Sequence, residues 1–354
     1  MKKSFYLEVL RVLALVCVIF NHSGEGGYFL FQTTNNMPLQ IFSIFISDFC
    51  KIGVPLFLMI SGALLIPKKE TLKELFVKRI LRIFIIIVLF SFIYYIRLYI
   101  QHPEYGFSLW FFVKLIYSEP FITPFWFLYL YMEFLLVLPF LRRLATAMSD
   151  SEHYYFILLG VLFLFLKVIP ERVILEGTLN LNIPLLSSCI LYPMLGYFLG
   201  HRLPERFFAA KSKIVAWLLI LLNGGCCVIM TFWDFHQTGV YDEASFGGFI
   251  FLPVIATFFL IKYHFDVRRA EKTTGNNAVT TGFEKVIFYV GSCAFCTYLF
   301  EEILRIDIFI KLFDLLSQIP SLLVCILYII CVLASGVVIS SVLRHIPGLR
   351  KLGI

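Results

Sequence analysis

Ten apolar segments, each near the length that crosses a roughly 30 Å hydrocarbon layer, recur along the chain and decide what it can fold into. They fall near residues 6 to 22, 42 to 66, 80 to 100, 124 to 141, 154 to 169, 184 to 200, 214 to 233, 247 to 264, 286 to 304 and 321 to 343. Sixty per cent of the 354 residues are hydrophobic and forty are Phe, whereas an ordinary soluble domain is about 45–50% apolar. The expectation is an all-α, polytopic integral membrane helical bundle of about ten transmembrane helices. The longest hydrophilic stretch, about Asp266 to Lys285, is too short for a separate soluble domain, so residues 1–354 read as a single membrane-embedded domain. The stretch from Trp110 to Tyr117 reads as a re-entrant or interfacial helix.

Charge placement tests that count. Lys2 and Lys3 precede the first segment, and Lys68, Lys69, Lys73, Lys78, Arg79 and Arg82 cluster between the second and third. Arg142 and Arg143 follow the fourth, Arg202, Arg206, Lys211 and Lys213 follow the sixth, and Lys262, Arg268, Arg269, Lys272 and Lys285 flank the loop after the eighth. Arg344, Arg350 and Lys351 end the chain, while the alternate loops hold only Lys114, Arg172, Arg305 and Lys311. The positive-inside rule then places both termini in the cytoplasm. Because the net charge of +7 is distributed in this way and not gathered into one patch, it points to orientation in a bilayer and not to nucleic acid. Lys2 and Lys3 ahead of an apolar core imitate a secretory signal, but Glu8 and Arg11 interrupt that core, and the segment reads as a retained first span.

Within that first segment lies the most informative residue pair. An ionised Arg at mid-bilayer costs at least about 2.5 to 3.5 kcal/mol, so Arg11 must be paired, near an interface or facing a polar cavity. Eleven steps of 100° bring His22 to the same helix face as Arg11, roughly 16 Å further along. The two residues serve either as interface anchors or as functional groups on one face. An imidazole titrates near neutrality, so His22 can accept and return a proton, which suits acyl transfer to a hydroxyl. Arg79 and Arg82, one turn apart, either set orientation or hold phosphate with their guanidinium forks. The second segment carries Gly53-Val54-Pro55 and Ser61-Gly62, where glycines permit close helix approach and Pro55 frees backbone carbonyls. Nearly all nine cysteines lie in apolar runs and read as small hydrophobes, Cys293-x-x-Cys296 included, so no metal is expected.

These residues resemble acyltransferase family 3, integral-membrane acyltransferases that modify cell-surface glycans and related acceptors. Leu7-Glu8-Val9-Leu10-Arg11 through Asn21-His22 resembles the family's opening pattern, and Gly53-Val54-Pro55-Leu56-Phe57 to Ser61-Gly62 its second motif. Arg79-Ile80-Leu81-Arg82 is similar to the family's cytoplasmic Arg-x-x-Arg, and Trp126-Phe127-Leu128-Tyr129 with Pro139 to its Trp-Phe-Leu segment. Pro124 stands where a His often precedes that Trp. Gly291 to Glu302 resembles the Ser-Tyr-x-x-Tyr-Leu-x-His stretch, with Ala294 at the Ser position and Glu301 at the His position.

The resemblance implies a multi-pass protein of the plasma or inner cell membrane that moves an acyl group, most simply acetyl, from cytoplasmic acyl-CoA (acetyl-CoA) to a hydroxyl of a cell-surface or lipid-linked glycan. It implies His22 and Arg11 as catalytic residues, Arg11, Arg79 and Arg82 as the grip on the coenzyme phosphates, and Ser61, Trp126, Tyr129 and Glu301 as substrate-binding residues. The competing class is a transporter or flippase of a lipid-linked or amphipathic substrate, its path lined by Arg11, Lys51, Arg97 and Lys167.

Overall fold

The computed structural model describes residues 4–118, 123–169, 181, 183–204, 207, 210–243, 246, 249–267, 282–346 and 348. These residues form helices and their connections, with no strand among them. The principal helices are α1 (Phe5–Asn21), α2 (Met37–Cys50), α3 (Gly53–Leu65), α4 (Leu81–Gln101), α5 (Trp126–Ala147) and α6 (Asp150–Ile169). They continue with α7 (Ser188–Tyr197), α8 (Ala210–Thr238), α9 (Phe251–Lys262), α10 (Gly282–Leu304) and α11 (Ser321–Leu343). Every one of the ten apolar segments falls on these helices, the second on α2 and α3 together. The stretch from Trp110 to Tyr117 lies in a separate helix, Leu109–Ser118.

Among the described residues, six helical stretches are long and apolar enough to cross a membrane: Met37–Leu65, Leu72–Gln101, Thr123–Ala147, Lys211–Thr238, Gly282–Leu304 and Ser321–Leu343. Apolar side chains such as Trp217, Leu218, Leu221, Leu222 and Ile229 stand exposed along one side of α8, as a lipid-facing surface requires. The protein is a polytopic membrane helical protein. Of the charges used to orient it, Lys2, Lys3, Arg172, Arg206, Arg268, Arg269, Lys272, Arg350 and Lys351 lie outside the described residues, as does the side chain of Lys167.

Helix α1 is the central element, packed against α2, α3, α9, α10 and α11. Leu10, Ala14 and Ile19 are fully buried in these contacts. Beside its end, the helix formed by α2 and α3 breaks at Lys51–Ile52, one turn before Pro55, and the Asn21 side-chain amide donates to the Cys50 carbonyl there at 3.1 Å. A carbonyl released by the break is thereby satisfied within the bundle, as a low-dielectric surrounding demands.

The glycines of α3 do what small residues do in membrane bundles: they let backbones touch. A side-chain carbon at Gly62 would lie 2.0 Å from the Pro193 carbonyl oxygen of α7, and one at Gly196 of α7 would lie 1.9 Å from the Met59 carbonyl oxygen of α3. The two helices therefore meet along a reciprocal seam. At the other end of α3, a carbon at Gly53 would lie 2.9 Å from the Ala14 carbonyl oxygen of α1. Carbonyls in the last turn of α3, where helical partners run out, are bonded by cationic or imidazole side chains: Ala63 by His201 Nε2 at 2.7 Å, and Leu65, which also accepts from the Lys68 N–H at 3.3 Å, by Arg142 Nε and a terminal guanidinium nitrogen at 3.1 and 3.0 Å.

Candidate active site

Next to the seam, α1, α3, the start of α4, α5 and α10 enclose a cavity of about 370 Å³. Arg11, Ser61, Arg79, Arg82, Tyr131 and Tyr298 all line it. Lys68 and Lys78 join them, so five cations face one space, whereas no carboxylate is on its wall. Phe57 and Phe127, packed together with their rings 5.9 Å apart, supply apolar wall.

The cations are held differently, and the difference bears on what they can bind. Arg11 is bonded to Glu8, one turn earlier, at 2.6 Å. A side-chain carbon at Gly291 of α10 would sit 2.4 Å from that carboxylate, so the glycine makes room for the ion pair. Arg79 lies in a π-helical turn, Phe76–Ile80, just ahead of α4. It presents Nε and a terminal nitrogen to the two oxygens of Glu70 at 3.1 and 2.5 Å, while Arg142 reaches one of the same oxygens at 2.8 Å. The hydrogen bonds from Arg79 and then from Arg142 hold the Glu70 carboxyl down to about 2, against the opposing effect of burial. Glu70 is thus an anion that fixes two arginines from helices distant in sequence. Arg82 differs from the other two arginines: its Nε is buried without a hydrogen-bond partner, and no carboxylate among the described residues pairs with it. A guanidinium in that condition is prepared for an anionic ligand. The bidentate fork read from sequence into both arginines is therefore open at Arg82 and engaged with Glu70 at Arg79.

His22 ends α1 on the face it shares with Arg11, and both residues meet α10. His22 Nδ1 lies 2.8 Å from a Glu301 oxygen, whose other oxygen accepts from the Tyr328 hydroxyl at 3.0 Å. Glu301 is 1% exposed, so its charge is satisfied by these partners and not by water. A carboxylate at Nδ1 favours the tautomer that carries its proton on that nitrogen, which leaves the lone pair on Nε2. Along α10, Tyr298 at the inner end of the cavity precedes Glu301 by three residues, so the His22–Glu301 pair lies roughly 4.5 Å further along the axis. The Tyr298 hydroxyl donates to the Pro124 carbonyl, and its ring packs against Phe125 and Phe127 at 6.4 and 5.8 Å. Next to Glu301, Glu302 binds Arg305 with both oxygens at 3.0 and 2.6 Å.

The structure thus collects Arg11, Ser61, Arg79 and Arg82 around one cavity and sets His22 against Glu301 one turn beyond it. Trp126 and Tyr129 are elsewhere: Trp126 is 46% exposed, and the Tyr129 hydroxyl donates to the Ile116 carbonyl at 3.0 Å. The cavity is faced instead by Phe127, Tyr131 and Leu135, four residues apart along α5, a helical spacing that marks one face in the sequence itself. Of the cations weighed as a transport path, Arg11 lines the cavity, Lys51 is bonded to Glu243 at 2.8 Å, and Arg97 is not on the cavity wall. Sequence reading did not single out Glu70, Tyr131, Tyr298 or Tyr328.

All nine cysteines are free, seven of them buried, and no group of three or more His, Cys, Asp or Glu among the described residues is placed to hold a metal ion. A family model described as an acyltransferase domain, that of acyltransferase family 3, matches residues 4–344. No curated protein and no solved structure matches the chain. The match spans nearly the whole bundle, from the first turn of α1 to the residue after α11, so the chain belongs to acyltransferase family 3 and is a membrane acyltransferase.

Proposed function

We propose that the protein transfers an acetyl group from cytoplasmic acetyl-CoA to a hydroxyl of a cell-surface or lipid-linked glycan. The observation that carries this reading is the placement of the unpartnered Arg82, with Arg11 and Arg79, in one cavity whose inner end lies a single helical turn from the His22–Glu301 pair. Arg82 receives a coenzyme phosphate in its free fork, with Arg11, Lys68 and Lys78 adding positive charge around it. The thioester is directed past Tyr298 toward His22. There His22 Nε2 takes the proton of the acceptor hydroxyl as its oxygen attacks the thioester carbonyl. The new C–O bond forms, the C–S bond breaks, and the coenzyme thiolate leaves with the proton returned by the imidazolium. Glu301 holds the ring and offsets the positive charge that it acquires.

In this reading the ten apolar segments cross the cell membrane with both termini cytoplasmic, which puts the arginine cluster on the side of the acyl-CoA pool and His22 toward the outer face. Cysteines placed at Lys69 and at Asn35 are expected to react with impermeant reagents from opposite sides. Labelling of both from one side would remove the topology, and with it the separate entry of donor and acceptor.

The donor site is tested by binding. Arg82→Ala is expected to weaken acetyl-CoA binding by about tenfold or more, the loss of one charge-assisted contact of about 1.5–3 kcal/mol. Arg82→Lys rescues little, because an ammonium cannot reproduce the planar fork. Calorimetry in detergent showing unchanged affinity for Arg82→Ala would assign the arginine to orientation alone.

A further inference from the structure

On the side of α1 away from the candidate active site, a second groove of about 340 Å³ opens between α1, α2, α8 and α9. Leu13 of α1 lines it, two residues and about 200° around the helix from Arg11, and it shares no lining residue with the first cavity. Phe49, Ile220, Leu260 and Ile261 make its walls apolar. Its mouth is of another character. Lys213 of α8 stands there with its ammonium 4.6 Å from the centre of the Tyr263 ring, and no carboxylate among the described residues pairs with it. His264 and Trp217 complete the rim, and Trp217 is 59% exposed. Deeper in the groove, the Thr257 hydroxyl is buried and has no hydrogen-bond partner, although Thr257 is only 5% exposed.

We propose that this groove binds an anionic phospholipid of the leaflet that surrounds the Arg79–Arg82 end of the bundle. Phe5 packs on Phe265 at 5.3 Å, which fixes the groove mouth at the N-terminal end of α1, the same end as the arginine cluster. The lipid phosphate pairs with Lys213 and His264, and Trp217 and Tyr263 lie at headgroup level, where amphipathic rings are most favourable. One acyl chain lies against Leu13, Phe49, Ile220 and Leu260. The Thr257 hydroxyl, six residues before Tyr263 and so roughly 9 Å deeper, donates to an ester oxygen of the same lipid. An unpaired cation over an apolar groove matches a lipid that carries net negative charge better than a zwitterionic one, whose own ammonium would face Lys213. This inference is independent of the acetyl-transfer reading.

Fluorescence quenching tests it directly. A full-length chain with Trp110, Trp126 and Trp233 replaced by Phe keeps Trp217 as its one indole. It is reconstituted in vesicles of phosphatidylcholine and phosphatidylglycerol, with bromine on the acyl chains of one lipid or the other. Brominated phosphatidylglycerol is expected to quench Trp217 as though enriched about fivefold over its mole fraction, the factor that one basic residue near a lipid phosphate confers. Lys213→Ala removes the enrichment and Lys213→Arg retains it. Equal quenching by the two brominated lipids in the parent chain overturns the proposal, as does an enrichment that survives Lys213→Ala. The parent comparison decides the matter even if the alanine variant does not fold.

Discussion

Replacing His22 with Gln is expected to lower acyl transfer by about 10²- to 10⁴-fold, the range contributed by a positioned general base. Gln fills nearly the same space and can still bond to Glu301, which reaches His22 at 2.8 Å, but it cannot take up a proton at neutral pH. A role limited to holding helix α1 against α10 would survive the change. Acetyl-CoA binding should be almost untouched, because in the proposed reading Arg82, and not His22, takes the coenzyme phosphate. Two measurements separate these outcomes: calorimetry of acetyl-CoA on purified protein, and mass analysis of surface glycans from cells that carry the variant. Near wild-type glycan acylation by His22→Gln would sink the base mechanism and assign the proton transfer to another group.

The second large effect is expected at Glu301, as a positioning residue acting through His22. Glu301→Gln keeps a group able to accept from Tyr328 but removes the charge opposite the imidazole and offers an amide that can face Nδ1 either way. Loss of the carboxylate that fixes the tautomer of a catalytic imidazole lowers turnover by up to about 10⁴-fold, with little change in donor affinity. A destabilised bundle would also lose activity, so the diagnostic measurement is a double-mutant cycle. If Glu301 works through His22, adding Glu301→Gln to His22→Gln costs little beyond the single change. Fully multiplicative losses would assign Glu301 to stability, and a wild-type rate for Glu301→Gln would remove it from the site altogether.

The relation between these two residues also shows where sequence reading runs out. Membrane-length apolar segments are local properties, and each falls on a helix because a segment in lipid must satisfy its own backbone. Arg11 and His22 share one helix, so their common face follows from 100° per residue. Arg79 and Arg82 are legible for the same reason. Glu301 is 279 positions from His22, and in the chain alone it is only a carboxylate where relatives have an imidazole. Glu70 belongs to a lysine-rich connection and gains its meaning from Arg142, 72 residues away. Trp126 and Tyr129 sit in a recognisable motif, but a helix presents faces and not motifs, and the side of α5 that lines the cavity carries Phe127 and Tyr131.

The reciprocal glycine contact between α3 and α7 has a mechanical corollary. Two helices whose carbonyl oxygens sit where side chains would otherwise stand have no cushion between them to deform, so they travel as one plank. Phe57 and Ser61, carried on α3, therefore form a stationary wall of the cavity. On the opposite side stands Tyr298 of α10, its hydroxyl bonded to the Pro124 carbonyl and its ring against Phe125 and Phe127.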